Sequence, residues 1–319
     1  MRHKIGVQFM SKTAVLIPCY NESKTIEKVV LDFKRVLPDA DIYVYDNNST
    51  DGSDEIARKA GAIVRYEYRQ GKGNVLRSMF SDIEADCYIM VDADDTYPAE
   101  NAPEMEKLIL EGRADMVIGD RLNTTYFEEN KRPFHDFGNK LVRWLVNHLF
   151  DGDLQDIMTG YRAMNRKFVK EYPLLSKGFE VETEMSLFAL DGNYLVREIP
   201  VEYRDRPVGS ESKLNTFSDG FRVLKMIVML FRDYKPLVFF NVLSGICFVL
   251  GTILVVPVLR DYARTHLVER FPTLFVSIFL YIATLMFFCS GMILDVLKNN
   301  LRKTRETIAK QINQFLFRE

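Results

Sequence analysis

Two long stretches of this 319-residue sequence lack any charge. Residues 236–259 read PLVFFNVLSGICFVLGTILVVPVL and residues 271–294 read FPTLFVSIFLYIATLMFFCSGMIL. At about 1.5 Å of rise per residue, either run crosses a hydrocarbon layer of roughly 30 Å. Uncharged runs beyond about 18 residues are rare in soluble cores, which argues against two buried soluble helices. A basic excess is also missing. Lys and Arg number 42 against 44 Asp and Glu, a net charge of -2, so a generic nucleic-acid binder is disfavoured. Cysteine is scarce: Cys19, Cys87, Cys247 and Cys289 show no CxxC spacing. Neither a disulfide framework nor a zinc site is indicated, which suits a reducing compartment. The opening MRHKIGVQFMSK has no apolar stretch long enough for a signal peptide. There is no internal repeat and no low-complexity segment.

What is present is uneven. The connector RDYARTHLVER, residues 260–270, is short enough to make the two apolar runs a hairpin. Lys225, Arg232 and Lys235 precede the first run, and Lys298, Arg302, Lys303 and Arg305 follow the second. The positive-inside rule therefore puts both ends of the hairpin, and the large N-terminal part, on the cytoplasmic side of a cell membrane. The segment 217–235, FSDGFRVLKMIVMLFRDYK, is apolar with basic punctuation, as an interfacial helix would be.

Residues 13 to about 120 alternate strand and helix signals. TAVLIP, DIYVYD, AIVRYE, CYIMVD and DMVIGD read as strands. Between them, helices are expected over 23–37, in DEIARKA, in VLRSMFSDIEA and in PEMEKLILEG. This alternation predicts an α/β fold with a mostly parallel sheet covered on both faces. Ligands of such sheets bind beyond the carboxyl ends of the strands, here marked by Pro18, Asp46, Asp92 and Asp120. Farther along, HDFGNKLVRWLVNHLF and GFEVETEMSLFALDGN read as helices and YLVREIPVEYR as a strand.

The stretch VDADDTYP crowds Asp92, Asp94 and Asp95 at a strand end. Carboxylates converging there repel unless a cation intervenes. Mg²⁺ or Mn²⁺ is commonly held by one or two carboxylates plus substrate phosphates, which nominates Asp92 and Asp94. The bland alternative is a solvated acidic loop. The Gly-rich QGKGN offers backbone N–H groups and Lys72 to a phosphate, although it is neither a Walker A loop nor GxGxxG. Arg121 follows the strand at the same rim, and Arg206 and Lys213 lie in RDRPVGSESKLN, a loop able to clamp an anion or merely to link segments.

VLIPCYNE, YDNNSTDGS, RQGKGN, VDADDTYP, GDR, DIMTGYR and EIPVEYRDRPVGSESKL occur in this order. Together they resemble family 2 glycosyltransferases of GT-A fold, and more narrowly the polyprenyl-phosphate glycosyltransferases. That group includes dolichyl-phosphate mannose synthase and bacterial enzymes that load glucose on undecaprenyl phosphate. The resemblance covers residues 13 to about 235, and the two-helix hairpin resembles the bacterial subgroup. It implies that Pro18, Tyr20 and Glu22 line the base and ribose pocket and that Asp46 hydrogen-bonds the nucleoside. Asp92, Ala93 and Asp94 would meet the ribose and the metal-bound diphosphate. Arg121, Arg206 and Lys213 would bind the diphosphate or the acceptor phosphate. Asp156 matches the acidic position near the reacting sugar, with Arg162 just after it.

Three departures from the family pattern stand out. Asp46-Asn47-Asn48-Ser49 replaces a common DDGS, DADDT replaces DADLQ, and RPVGSESK is one residue longer than usual. The second makes Thr96 the weak candidate for a third metal ligand.

The resemblance implies a GT-A, Rossmann-like catalytic domain plus a transmembrane hairpin. The expected divisions are 1–216 catalytic, 217–235 juxtamembrane, 236–259 and 271–297 membrane helices, 260–270 loop and 298–319 basic tail. Inverting transfer of one hexose from a UDP-sugar to polyprenyl phosphate is the expected reaction, with Asp94, Asp156, Arg206 and Lys213 central and a homo-oligomer implied. Transfer to a lipid or polysaccharide hydroxyl is the alternative, and it would need Asp156 as base. No QxxRW motif of processive synthases is present. A non-catalytic, membrane-anchored nucleotide-sugar-binding protein is the third reading.

Overall fold

Apolar runs closed by turn residues become the strands of one seven-stranded sheet. The computed structural model describes residues 12–121, 143–148, 150, 152–178, 180–204, 225, 228–229 and 231–316. The strands are β1 (Thr13–Cys19), β2 (Asp41–Asp46), β3 (Ile63–Tyr66), β4 (Cys87–Met90), β5 (Met116–Asp120), β6 (Arg162–Asn165) and β7 (Val196–Pro200). Their order across the sheet is β3-β2-β1-β4-β6-β5-β7. Every pairing is parallel except those of β6, which runs antiparallel to both β4 and β5.

That one reversed strand matters for the site. Arg162, at the start of β6, pairs with Met90 near the end of β4 and with Ile118 of β5. The DIMTGYR loop before β6 is thereby delivered to the edge where β1, β2, β4, β5 and β7 all end. RAMN carries no strand signature of its own, because Arg162 and Asn165 are polar. Its neighbours impose the conformation, and the fully buried Arg162 guanidinium donates to Thr159 O at 3.0 Å and Ile157 O at 2.7 Å.

The described helices of this unit include α1 (Ile26–Val36), α2 (Ser53–Lys59), α3 (Lys72–Asp82), α4 (Ala102–Leu110), α5 (Arg166–Glu171) and α6 (Val181–Asp191), and residues 143–148 are also helical. In α1 the buried residues are Ile26, Val29, Val30 and Phe33, the expected helical stripe. Each such side chain contributes about 1.5–3 kcal/mol when fully buried. Ala102, Met105 and Ile109 of α4 join the same core. Most of α6 is buried, polar residues included, and its buried acids are partnered: Glu184 accepts from Leu175 N and Ser176 N, and Glu182 meets Lys72.

The chain divides into two units, residues 1–223 and 224–319. The second contains α7 (Pro236–Thr265) and α8 (Phe271–Leu316), both long and apolar enough to cross a membrane. Small residues recur every seventh position on the facing sides: Ser244 and Gly251 before Val258, and Ser277, Thr284 and Gly291. Seven-residue spacing gives left-handed packing, and small side chains let the helices approach. Ser244 Oγ donates to Thr284 O at 2.9 Å. Facing away, Ile253, Phe279, Leu285, Met286 and Ile293 are 61–67% exposed, which a buried soluble helix would not tolerate. The helices are longer than the sequence suggests. α7 takes in Arg260 to Thr265, and α8 continues through the expected tail to Leu316. Residues 298–316 contain no Gly or Pro to stop it.

Candidate active site

The loop after β1 is fastened to the loop after β2. Asn21, in a left-handed conformation, donates its N–H to Ser49 Oγ at 2.9 Å, Glu22 N donates to Ser53 Oγ at 2.9 Å, and Ser23 N donates to Asp51 Oδ2 at 2.9 Å. These bonds set Pro18, the partly exposed Tyr20 and Glu22 along one edge. Asp46 is 3% exposed, and both its oxygens accept from Ser49 N, so it shapes the turn as well as the rim. Asn47 explains one departure in the sequence. Its amide donates to Glu67 O at 2.6 Å and Arg69 O at 3.0 Å and accepts from Gly71 N at 2.8 Å. An aspartate accepts but cannot donate.

Two N–H groups of the Gly-rich loop have acceptors within the protein. Gly71 N is taken by Asn47, and Gly73 N donates to Lys177 O at 3.1 Å. A β-carbon on Gly73 would stand 2.2 Å from Ser176 O, so the glycine is there for backbone packing. Helix α3 begins at Lys72, earlier than the expected Val75. Lys72, expected to reach a phosphate, pairs with Asp92 Oδ1 and with Glu182 Oε1 at 2.6 Å. Burial opposes its charge, but Asp92 and Glu182 outweigh burial and hold its pKa above the ordinary lysine value. Burial raises the Glu182 pKa while Lys72 lowers it. Burial prevails, so the net direction for Glu182 is upward, while the 2.6 Å separation is that of a charge-assisted hydrogen bond to the Lys72 ammonium. Glu182 had no local sequence signal; only the fold brings it here.

The acidic stretch after β4 resolves into separate parts. Asp92 stays partly exposed beside Lys72 and lies over Gly160. Ala93 is buried, and its carbonyl accepts from Thr25 Oγ1 at 2.7 Å. Asp94 is 5% exposed and accepts from the Thr96 hydroxyl at 2.6 Å. Asp95 turns away in a left-handed conformation to Lys28 Nζ at 2.5 Å, with Arg204 at 4.0 Å. Tyr97 OH accepts from Gly160 N at 3.2 Å and from the Thr159 hydroxyl at 3.3 Å, tying VDADDTYP to DIMTGYR.

Asp156 and Arg121 form the second centre. Asp156 is 1% exposed and accepts from Arg121 Nε at 2.8 Å and Met158 N at 3.2 Å. Arg121 also donates to Tyr97 OH at 3.4 Å and lies 5.7 Å from the Tyr203 ring centroid. Glu198 accepts from Gln155 N and Asp156 N, supporting the loop from beneath. Arg206 and Lys213 lie outside the described residues.

Comparison with known proteins decides the family. The glycosyl transferase family 2 profile matches residues 14–173. The chain belongs to that family. Protein RfbJ of Shigella flexneri is 56% identical over 108 residues, covering 34% of this chain and 84% of that protein. The dolichyl-phosphate hexose transferase of Haloferax volcanii is 31% identical over 215 residues, covering 67% of this chain and 92% of that one. Among solved structures, Mycobacterium tuberculosis glucosyl-3-phosphoglycerate synthase, in complex with Mn²⁺, UDP and phosphoglyceric acid, has a TM-score of 0.56 at 20% identity. It covers 70% of this chain and 78% of that structure, a likeness of fold.

The glycosyltransferase thus joins a GT-A-like sheet to two apolar C-terminal helices. Among its described residues, no group of three or more His, Cys, Asp or Glu is placed to hold a metal ion. The hard oxygen donors of Asp92 and Asp94 nevertheless suit a Mg²⁺ or Mn²⁺ ion that completes its shell with water and substrate phosphates. Thr96 is better placed as the donor that orients Asp94 than as a further ligand.

Proposed function

We propose that this family 2 glycosyltransferase transfers a single hexose from a UDP-sugar to undecaprenyl phosphate, with inversion at the anomeric carbon. The observation that carries the reading is one sheet edge gathering Asp92, Asp94, Arg121 and Asp156 in a chain that also has two membrane-length helices. Relatives named for dolichyl-phosphate hexose transfer support the acceptor class, and a fold neighbour solved with Mn²⁺ and UDP supports the donor class.

The chemistry follows from charge. The leaving nucleoside diphosphate gains negative charge as the sugar–phosphate bond breaks. Asp92 and Asp94 would hold a Mg²⁺ or Mn²⁺ ion, which when bound would supply electrostatic stabilisation of that group. Arg121 adds a fixed positive charge at the same rim, with Arg206 and Lys213 assigned to the diphosphate or acceptor phosphate. The attacking phosphate oxygen is already ionised near neutral pH, so no strong base is required. Both oxygens of Asp156 accept hydrogen bonds, which supports a positioning role over general-base catalysis. Pro18, Tyr20, Glu22 and Asp46 frame the nucleoside. Tethering to the bilayer keeps the enzyme beside an acceptor that cannot leave it, and the basic flanks assign the catalytic unit and both hairpin ends to the cytoplasmic face.

The test is to reconstitute the protein in vesicles containing undecaprenyl phosphate and supply labelled UDP-sugars one at a time. A charged lipid-linked monosaccharide is expected from one donor. A neutral glycolipid, or no product with any donor, would sink the reading.

A further inference from the structure

We propose that Lys72 and Glu182 are positioning residues that set the charge and direction of Asp92 toward the donor diphosphate and its divalent cation. This rests on the donor site described under the proposed function. Of the three side chains, Lys72 and Glu182 are 8% and 5% exposed, whereas Asp92 is 29% exposed. Only Asp92 therefore presents substantial surface to a ligand. Its Oδ1 is held by Lys72, and its Oδ2 lies where a β-carbon on residue 160 would otherwise stand.

Glu182 keeps Lys72 from leaving. Its Oε1 lies 2.6 Å from the ammonium, and its buried Oε2 has no hydrogen-bond partner among the described residues. Were a diphosphate to draw Lys72 outward, that carboxylate would be stranded in a dry site. Both backbones are braced by one segment. Gly73 N donates to Lys177 O at 3.1 Å, Arg77 donates to Leu174 O at 3.0 Å, and Glu184 accepts from Leu175 N at 3.1 Å and Ser176 N at 2.9 Å. Lys72 is thus a buried counter-ion shared by two acids, and Asp92 keeps part of its negative charge for the incoming cation.

This arrangement predicts changes of opposite sign. With Glu182→Gln, Lys72 loses its second acid and its charge falls wholly on Asp92, so divalent cation binding weakens. With Lys72→Met, Asp92 loses its competitor, so cation binding strengthens. A role limited to structural integrity would weaken binding in both.

The experiment is direct titration of Mn²⁺ at saturating UDP, following free Mn²⁺ by electron paramagnetic resonance on the full-length protein in detergent. We expect Glu182→Gln to raise the apparent Mn²⁺ dissociation constant on the order of tenfold and Lys72→Met to lower it by a similar factor. The double variant, in which no unpaired buried charge remains, should fold and return close to wild type. Unchanged affinity, or weaker affinity in both single variants and the double, overturns the inference while leaving the donor site standing. Wild-type protein that binds no Mn²⁺ with UDP overturns the cation assignment, and the inference falls with it.

Discussion

A β-carbon on Gly160 would lie 2.3 Å from Asp92 Oδ2 and 2.9 Å from Asp92 Cγ. The glycine is held there by its N–H to Tyr97 OH, and Asp92 is held from the other side by Lys72. Gly160→Ala must therefore push the carboxylate out of place. We expect kcat/KM for the donor to fall about 100-fold, as small misplacements at reacting centres do. The cost in stability should stay within about 1–3 kcal/mol, as for other overpacked sites. Steady-state kinetics beside thermal unfolding checks both, and wild-type kinetics would show that Asp92 has room to move.

Asp94 and Asp95 are adjacent but unlike. Asp94 is buried and oriented by Thr96, whereas Asp95 points to Lys28 on α1. Asp94→Asn should lower divalent-cation-dependent transfer at least about 100-fold, the scale of losing a principal electrostatic stabiliser. Asp95→Asn should leave activity near wild type. It removes an ion pair whose lysine is half exposed, worth about 0–1 kcal/mol, and asparagine accepts the left-handed backbone. Transfer assays on the two variants separate them; equal losses would mean that Asp95 also serves the ligand.

Most of the sheet was legible because β1, β2, β4 and β5 are apolar runs closed by Pro or Asp, and α1 shows an unbroken stripe. β6 was not, because four residues with polar ends acquire strand conformation only between β4 and β5. The acidic pair at Asp92 and Asp94 was visible as like charges at a strand end. The counter-ion of Asp92 was not, nor was the acid that shares it. Lys72 stood in a loop that read as a phosphate cradle, and Glu182 stood inside a helix 110 positions later. The partner of Asp95 was hidden for the same reason, since Lys28 lies 67 positions away in the sequence. The glycines at 71 and 73 read as part of a phosphate loop, and the packing that needs them, against the backbone at 176–177, had no local signal.

Arg121 and Asp156 are expected to behave as one unit. Asp156→Asn leaves Arg121 without its buried partner, and Arg121→Met leaves Asp156 buried and unpaired. Each should cost about 3 kcal/mol in stability, while the double variant should cost little more than either single one. Denaturant unfolding of all four proteins measures the coupling. Simple additivity would show that the pair is not a unit.

Glu67 gives a pH-dependent prediction. Arg69 and Ser78 hydrogen-bond its carboxylate and lower its pKa from 4.5 to about 2, against the effect of burial. A lowered folded-state pKa means stability that is fully present above the unfolded value and lost as pH falls through the folded one. Glu67→Gln should therefore melt below wild type near neutral pH. The gap should narrow as pH drops below about 4.5 toward 2. Added salt should shrink it too, because Arg69 is largely exposed. A gap constant across that range would remove the carboxylate as its source.

The hairpin offers a control with one glycine in each helix. A β-carbon on Gly291 would come within 3.0 Å of Phe240 Cβ on the facing helix, whereas one on Gly245 would meet nothing within 4 Å. Gly291→Leu must separate α7 from α8 and disturb the seventh-position seam that joins Ser244 to Thr284. We expect a loss of about 1–3 kcal/mol, the cost of overpacking. Gly245→Leu places its side chain outward and should leave the hairpin intact. Thermal unfolding in detergent, paired with limited proteolysis at the 266–270 turn, compares the two directly. Equal sensitivity at both positions would mean that packing between α7 and α8 does not set the stability of this unit.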